Sequence, residues 1–86
     1  MEFEKEVENE IKKMEEIVKK IKLKDPVATE VYNLALSYLI DAKHFLEGKD
    51  FLRAFEAVII CWAYIDACLH FNFLEVPEEF KDYFTV

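Results

Sequence analysis

The chain has 86 residues, a net charge of −7, and 53% hydrophobic and 15% aromatic residues. Residues 1–24 balance seven Glu against seven Lys, 25–74 carry seven acids against three bases, and 75–86 carry four against one. No segment is basic, which speaks against a nucleic-acid binder, whose face must neutralise phosphate, and against an anionic membrane surface.

The length implies a single domain over residues 1–86. So short a chain buries only about 60% of its unfolded surface, so its core must be rich in large apolar groups. One Gly and two Pro leave little room for a sheet with its turns. The composition therefore predicts an all-α protein. Gln is absent, and Ser and Thr number one and two beside abundant Glu and Lys. That bias is typical of thermophile proteomes. The amino-terminal MEFEKEVENE lacks the apolar stretch of a secretory signal, so the expectation is cytoplasmic.

The first predicted helix runs from residue 2 to 22. Val7, Ile11, Met14, Val18 and Ile21 recur at alternating spacings of four and three, which is one apolar stripe. Its other face carries Glu8–Lys12, Glu15–Lys19 and Glu16–Lys20, Glu-before-Lys pairs one turn apart. KLKDP, residues 22–26, breaks the pattern. Asp25 suits an N-cap and Pro26 the first helical position.

A second helix then extends to about Glu47. Ala28, Val31, Ala35, Tyr38, Ala42 and Phe45 form its stripe, widened by Leu34, Leu39 and Leu46. Gly48 falls where a C-cap is needed and Asp50 where the next N-cap belongs, so EGKD reads as a tight antiparallel turn. If facing positions sum to about 98, Phe45 meets Arg53, Tyr38 meets Ile60 and Tyr32 meets Asp66. The third helix runs from Phe51 to about Leu74. Residues 77–84 form a short helix or turn that folds Phe80, Tyr83 and Phe84 back on the bundle. The expected fold is an up-down-up three-helix bundle with a short C-terminal helical or turn segment.

AVIICWAYIDACL, residues 57–69, is the most apolar stretch. It is no membrane span, which needs about 20 mostly apolar residues. Asp66 interrupts it and His70 follows. On a helical wheel Phe55, Val58, Trp62, Ile65 and Leu69 make the best inward stripe. The opposite face holds Arg53, Glu56, Ile60, Ala63, Ala67 and His70. It is polar only at its ends. Its middle, Ile60, Ala63 and Ala67, flanked by Ile59 and Tyr64, is apolar where a lone bundle would be wet. Four readings are open: a second copy about a two-fold axis, the C-terminal tail, a different partner, or an exposed patch that is simply tolerated. As a helix, the tail would shield the end near Asp66 to Leu74 but not Ile60.

Cys61 and Cys68 lie seven residues apart on one helix face, about 10 Å by the helical rise, too far for a disulfide within the helix. They read as small buried hydrophobes in a reducing compartment. No His stands one turn from Cys61, as thiol catalysis would need. Asp66, if buried, needs a partner. A hydrogen bond across the bundle, for instance to Tyr32, supplies one. The functional alternative joins Asp66 to His70 as metal ligands or an acid–base couple, without a clear third ligand. Tyr32, Tyr38, Tyr64 and Trp62 read as core rather than as a pocket. One glycine cannot build a phosphate loop.

DAKHFLEGKDFLRAFEA, residues 41–57, followed by YIDA, residues 64–67, resembles an archaeal family known as domain of unknown function 357. The likeness rests on Asp41-Ala42, Phe45-Leu46, Gly48, Asp50, Arg53-Ala54, Glu56 and Asp66-Ala67. The resemblance implies a three-helix bundle, an archaeal source and no established activity. In that family a glycine often follows the Asp-Ala of the third helix; Cys68 stands there here, which bears on how closely a neighbour approaches. The same hairpin loosely resembles one tetratricopeptide unit, but one unit cannot form a peptide groove. The functional expectation is a non-catalytic interaction or scaffold domain, needing no cofactor and self-associating as a homodimer through Ile59, Ile60, Ala63, Tyr64 and Ala67. The alternative is a small-ligand or metal-binding module using Asp66 and His70.

Overall fold

The computed structural model describes residues 2–86. Three helices, α1 (Glu2–Lys19), α2 (Val27–Glu47) and α3 (Phe51–His70), form an up-down-up bundle. A two-residue ladder joins β1 (Lys22–Leu23) to β2 (Leu74–Glu75). A six-residue 3₁₀ helix, Glu78–Tyr83, precedes the C-terminus.

The amphipathic stripe of α1 includes Val7, Ile11, Met14 and Val18 as read from spacing, and adds Ile17, which the spacing did not include. Val7, Ile11, Met14, Ile17 and Val18 are buried, with Ile21 packed at the edge. Its outer charges are arranged differently. Among the described residues only Glu16–Lys20 of the three expected pairs is in ion-pair contact, at 3.8 Å. Glu15 instead reaches Lys43 of α2 at 2.8 Å, so a charge read as decoration ties two helices together.

α2 starts as its sequence indicates. The Asp25 carboxylate accepts from the Val27 amide at 3.0 Å, ahead of a Pro26 already in helical geometry. Its buried face is mostly small: Ala28, Ala35, Leu39 and Ala42. Leu34, expected to widen the stripe, remains 42% exposed. α3 also turns small groups inward, with Ala54, Ala57, Cys61 and Cys68 all buried. Alanine and cysteine on both sides let the two backbones approach closely, which makes α2–α3 the tightest pair in the bundle.

The α2–α3 turn is closed by a Schellman pair: the Asp50 amide donates to Phe45 O at 2.9 Å and the Lys49 amide to Leu46 O at 3.0 Å. Gly48 is the C-cap, but the left-handed residue is Lys49 at φ 60°, while Gly48 sits at φ −80°. Asp50 caps α3 by accepting from the Arg53 amide at 3.3 Å.

Two boundaries differ from the periodicity. α1 stops at Lys19, not residue 22, and α3 at His70, not Leu74. A second Schellman turn ends α3: Phe73 N donates to Cys68 O at 2.9 Å and Asn72 N to Leu69 O at 3.1 Å. Asn72 takes the left-handed conformation at φ 61°, which asparagine tolerates better than most residues. The freed chain then pairs with the α1–α2 connection, Lys22 with Glu75 and Leu23 with Leu74. Lys24 N extends the ladder to Phe73 O at 2.9 Å. This small sheet, unexpected from one Gly and two Pro, needs no turn of its own because it joins two helix ends. It also delivers Leu74 and Val76 into the core.

Candidate functional site

α3 is the element on which the functional question turns. Its core-facing residues are Ala54, Ala57, Val58, Cys61, Ile65 and Cys68. The inward stripe expected from the helical wheel is therefore corrected. Val58 and Ile65 belong to it, but Phe55, Trp62 and Leu69 lie on its flank, half-buried. Close α2–α3 packing admits small side chains, so the large rings are displaced to the open side.

The outward face is as its residues suggest. Arg53, Glu56, Ile60, Ala63, Ala67 and His70 are all exposed. Ile59 and Ile60 each keep 38% of their surface in solvent. Tyr64 is half-buried and stacks on Tyr38 with centroids 5.9 Å apart. Tyr38 and Ile60, and Phe45 and Arg53, line one shallow hollow, as the antiparallel pairing predicts.

The third predicted pair fails. Tyr32 donates to the Val18 carbonyl at 2.8 Å, tying α2 to α1. Burial pushes its phenol upward, with the neighbouring Cys61 adding to the rise. Asp66 meets the C-terminal segment instead. Its carboxylate accepts from the Thr85 amide at 2.8 Å and from the Thr85 hydroxyl at 2.7 Å. The His70 Nε2 lies 2.6 Å from the same hydroxyl. Because that hydroxyl's one proton goes to Asp66, the imidazole is the donor. Asp66 and His70 themselves are 3.8 Å apart. Among the described residues no group of three or more His, Cys, Asp or Glu is placed to hold a metal.

The tail follows α3 back toward its middle. Phe84 is only 6% exposed and stacks on Trp62 at 6.0 Å with the rings 6° from parallel. The Trp62 indole N–H donates to the Tyr83 carbonyl at 3.0 Å. The Tyr83 hydroxyl donates to Glu10 of α1, and Lys13 Nζ lies 4.3 Å from the Tyr83 ring centre. Burial, then the bond to Glu10, raise the Tyr83 phenol well above its ordinary value. The strap reaches Trp62 and Asp66, leaving Ala63, Ala67 and Ile60 uncovered. Thr85 and Glu10 were not singled out by the sequence, and Tyr83 was expected to fold back on the bundle but not to meet Glu10. A signal existed: an acid in an apolar helix needs a donor, and Thr85 is one of only three aliphatic hydroxyls, with Thr29 and Ser37.

Both cysteines are buried and free. Burial pushes the Cys61 thiol from its ordinary 9.0 up to about 12. Its thiolate, the nucleophilic form, is therefore suppressed. The sign for stability follows from linkage. The unfolded chain releases this proton near pH 9 and the folded chain only near pH 12, so stability falls as pH rises through that window. Cys61→Ala, although less stable at neutral pH, is expected to show a shallower alkaline loss in denaturant titrations between those pH values.

These features define a three-helix bundle with an open apolar face on α3 and a C-terminal strap beside it. No helix among the described residues is long and apolar enough to cross a membrane. Residues 2–74 match the family described as protein of unknown function (DUF357), and the chain belongs to that family. A similar solved structure is that of protein AF1782 from Archaeoglobus fulgidus, assigned to the same family model. The two share 29% identity and a TM-score of 0.77, over 88% of this chain and 95% of that one. No curated protein matches the chain. The strap beyond Leu74 lies outside the family-matched segment.

Proposed function

We propose that this chain is a non-catalytic interaction domain that self-associates through the outer face of α3, in the cytoplasm of a thermophilic archaeon. The observation that carries the reading is the seam of Ile60, Ala63 and Ala67, with Ile59 and Tyr64 beside it. Ile60, Ala63 and Ala67 lie exposed on one helix face, with Ile59 partly open beside them and Tyr64 half-covered by Tyr38 of α2. Two such seams crossing about a two-fold axis bury isoleucine against the partner's alanines, and the small side chains permit a close approach. The buried, weakly acidic Cys61 supports a non-catalytic role. The alternative use of Asp66 and His70 as ligands has less support, because Thr85 already engages both side chains.

Sedimentation tests the reading. Wild-type protein is expected to show twice the chain mass at micromolar concentration. Ile60→Glu and Ala63→Glu are expected to yield folded monomers, since both positions are exposed within one copy. A wild type that stays monomeric at high micromolar concentration refutes the proposal.

A further inference from the structure

Beside the α3 seam, and sharing Ile59 with it, lies a hollow of about 290 Å³, lined by Phe55, Ile59, Trp62, Tyr83 and Glu10. α1 supplies the acid, α3 the Phe, Ile and Trp, and the C-terminal strap the Tyr. Three aromatic residues and one aliphatic residue thus surround a single carboxylate. The charge is held in place, because the Tyr83 hydroxyl donates to Glu10 Oε2. Phe84 stacks on Trp62, and Phe3 meets Phe55 edge-on at 5.7 Å, so two of the rings are braced by neighbouring aromatics. The Tyr83 ring already takes one cation, the Lys13 ammonium at 4.3 Å.

The geometry points to a binding site for a quaternary ammonium group, the trimethylammonium end of a small metabolite or of a methylated lysine. The chemistry discriminates among cations. A primary ammonium is strongly hydrated and gains little from one half-exposed carboxylate. A trimethylammonium group donates no hydrogen bond to water, so it loses little on leaving it. It buries methyl groups against the rings while its diffuse charge meets their negative faces and Glu10. The net charge of −7 favours the approach of any cation, so selectivity must come from the rings.

Trp62 is the only tryptophan and lines the hollow, so its emission reports directly. Titration with tetramethylammonium chloride, with sodium chloride and ammonium chloride as matched controls, is expected to give a saturable change at millimolar concentration with the first salt only. Glu10→Gln retains a carbonyl acceptor for Tyr83 and removes the charge. It is expected to weaken binding by roughly fivefold, with the ligand-free Trp62 emission unchanged. Phe55→Leu keeps the bulk and removes the ring, and is expected to weaken binding by about threefold. The source is resolved by comparing choline with a trimethyllysine peptide, the tighter ligand identifying it. A titration that does not saturate, an equal response to ammonium, or full affinity in both variants overturns the proposal. Repeating it in Ile60→Glu separates this site from self-association, because the monomer must still bind.

Discussion

Phe84→Ala is expected to release the C-terminal strap and to cost a large share of the stability of a protein this small. Phe84 is 6% exposed and lies parallel on Trp62 at 6.0 Å. Truncating a buried Phe to Ala costs about 3–5 kcal/mol when the rest of the structure stays in place. Here the strap has a cheaper route, since it can leave as a unit once its anchor is gone. The loss is then capped by the strap's own docking energy, which includes the Trp62 bond to the Tyr83 carbonyl and the Thr85 bonds to Asp66. Two readouts separate these routes. A red-shifted Trp62 emission together with rapid proteolysis after Pro77 marks release of the strap. A lowered Tm with unchanged emission marks a cavity under a strap still in place. Val86→Ala, at a position 56% exposed, is expected to change stability by less than about 0.5 kcal/mol. Wild-type emission, protease resistance and Tm together in Phe84→Ala would refute the role of Phe84 as the strap's anchor.

Ile65→Ala is the second large effect. Ile65 is wholly buried, on the inward face of α3 between Cys61 and Cys68. The substitution removes three carbons from a site whose neighbours are fixed by close helix packing, so the cavity cannot collapse. The expected cost is about 2–5 kcal/mol. At roughly 0.05–0.15 kcal/mol per residue, a domain of this length holds on the order of 4–13 kcal/mol in total. A fall in Tm of at least about 10 °C is therefore expected in calorimetry. Leu52→Ala, in the first turn of the same helix but 65% exposed, is the control, with less than about 0.5 kcal/mol lost. Comparable losses in the two variants would refute the assignment of the buried face.

The contrast between these residues shows how far sequence reasoning reached. Four of the five buried residues of α1, Val7, Ile11, Met14 and Val18, followed from spacing alone, because an amphipathic helix with a charged back has one way to face a core; Ile17 was missed. α3 is different. It is apolar almost all round, so its wheel has no polar arc to set the rotation. The wheel put Phe55, Trp62 and Leu69 inward with Val58 and Ile65. Ala54, Ala57 and Cys61 took that side instead because α2 offers a small-residue face of its own. Size complementarity between two helices is a pair property, visible only when both are placed.

The candidate sites divide in the same way. The exposed seam of Ile60, Ala63 and Ala67 was legible as the face opposite the core, and the modest error in rotation left it outside. Asp66 was legible as an acid that needs a partner, but not its partner. Thr85 lies 19 residues away, beyond a helix stop, a strand and a 3₁₀ helix. The aromatic hollow was not legible, since Glu10, Phe55 and Tyr83 come from three segments with no shared periodicity.

The sequence by itself determined the helical class, the hairpin turn at Gly48–Asp50, the amphipathic face of α1 and the family. Each depends on local propensity, capping or short-range pattern, which act within a few residues of chain. Tertiary structure decided where α1 and α3 stop, which way α3 rotates, and where the strap lies. Those outcomes rest on contacts between segments distant in sequence. Leu23 against Leu74, Phe84 on Trp62 and Thr85 on Asp66 gain their energy only once the bundle has brought them together.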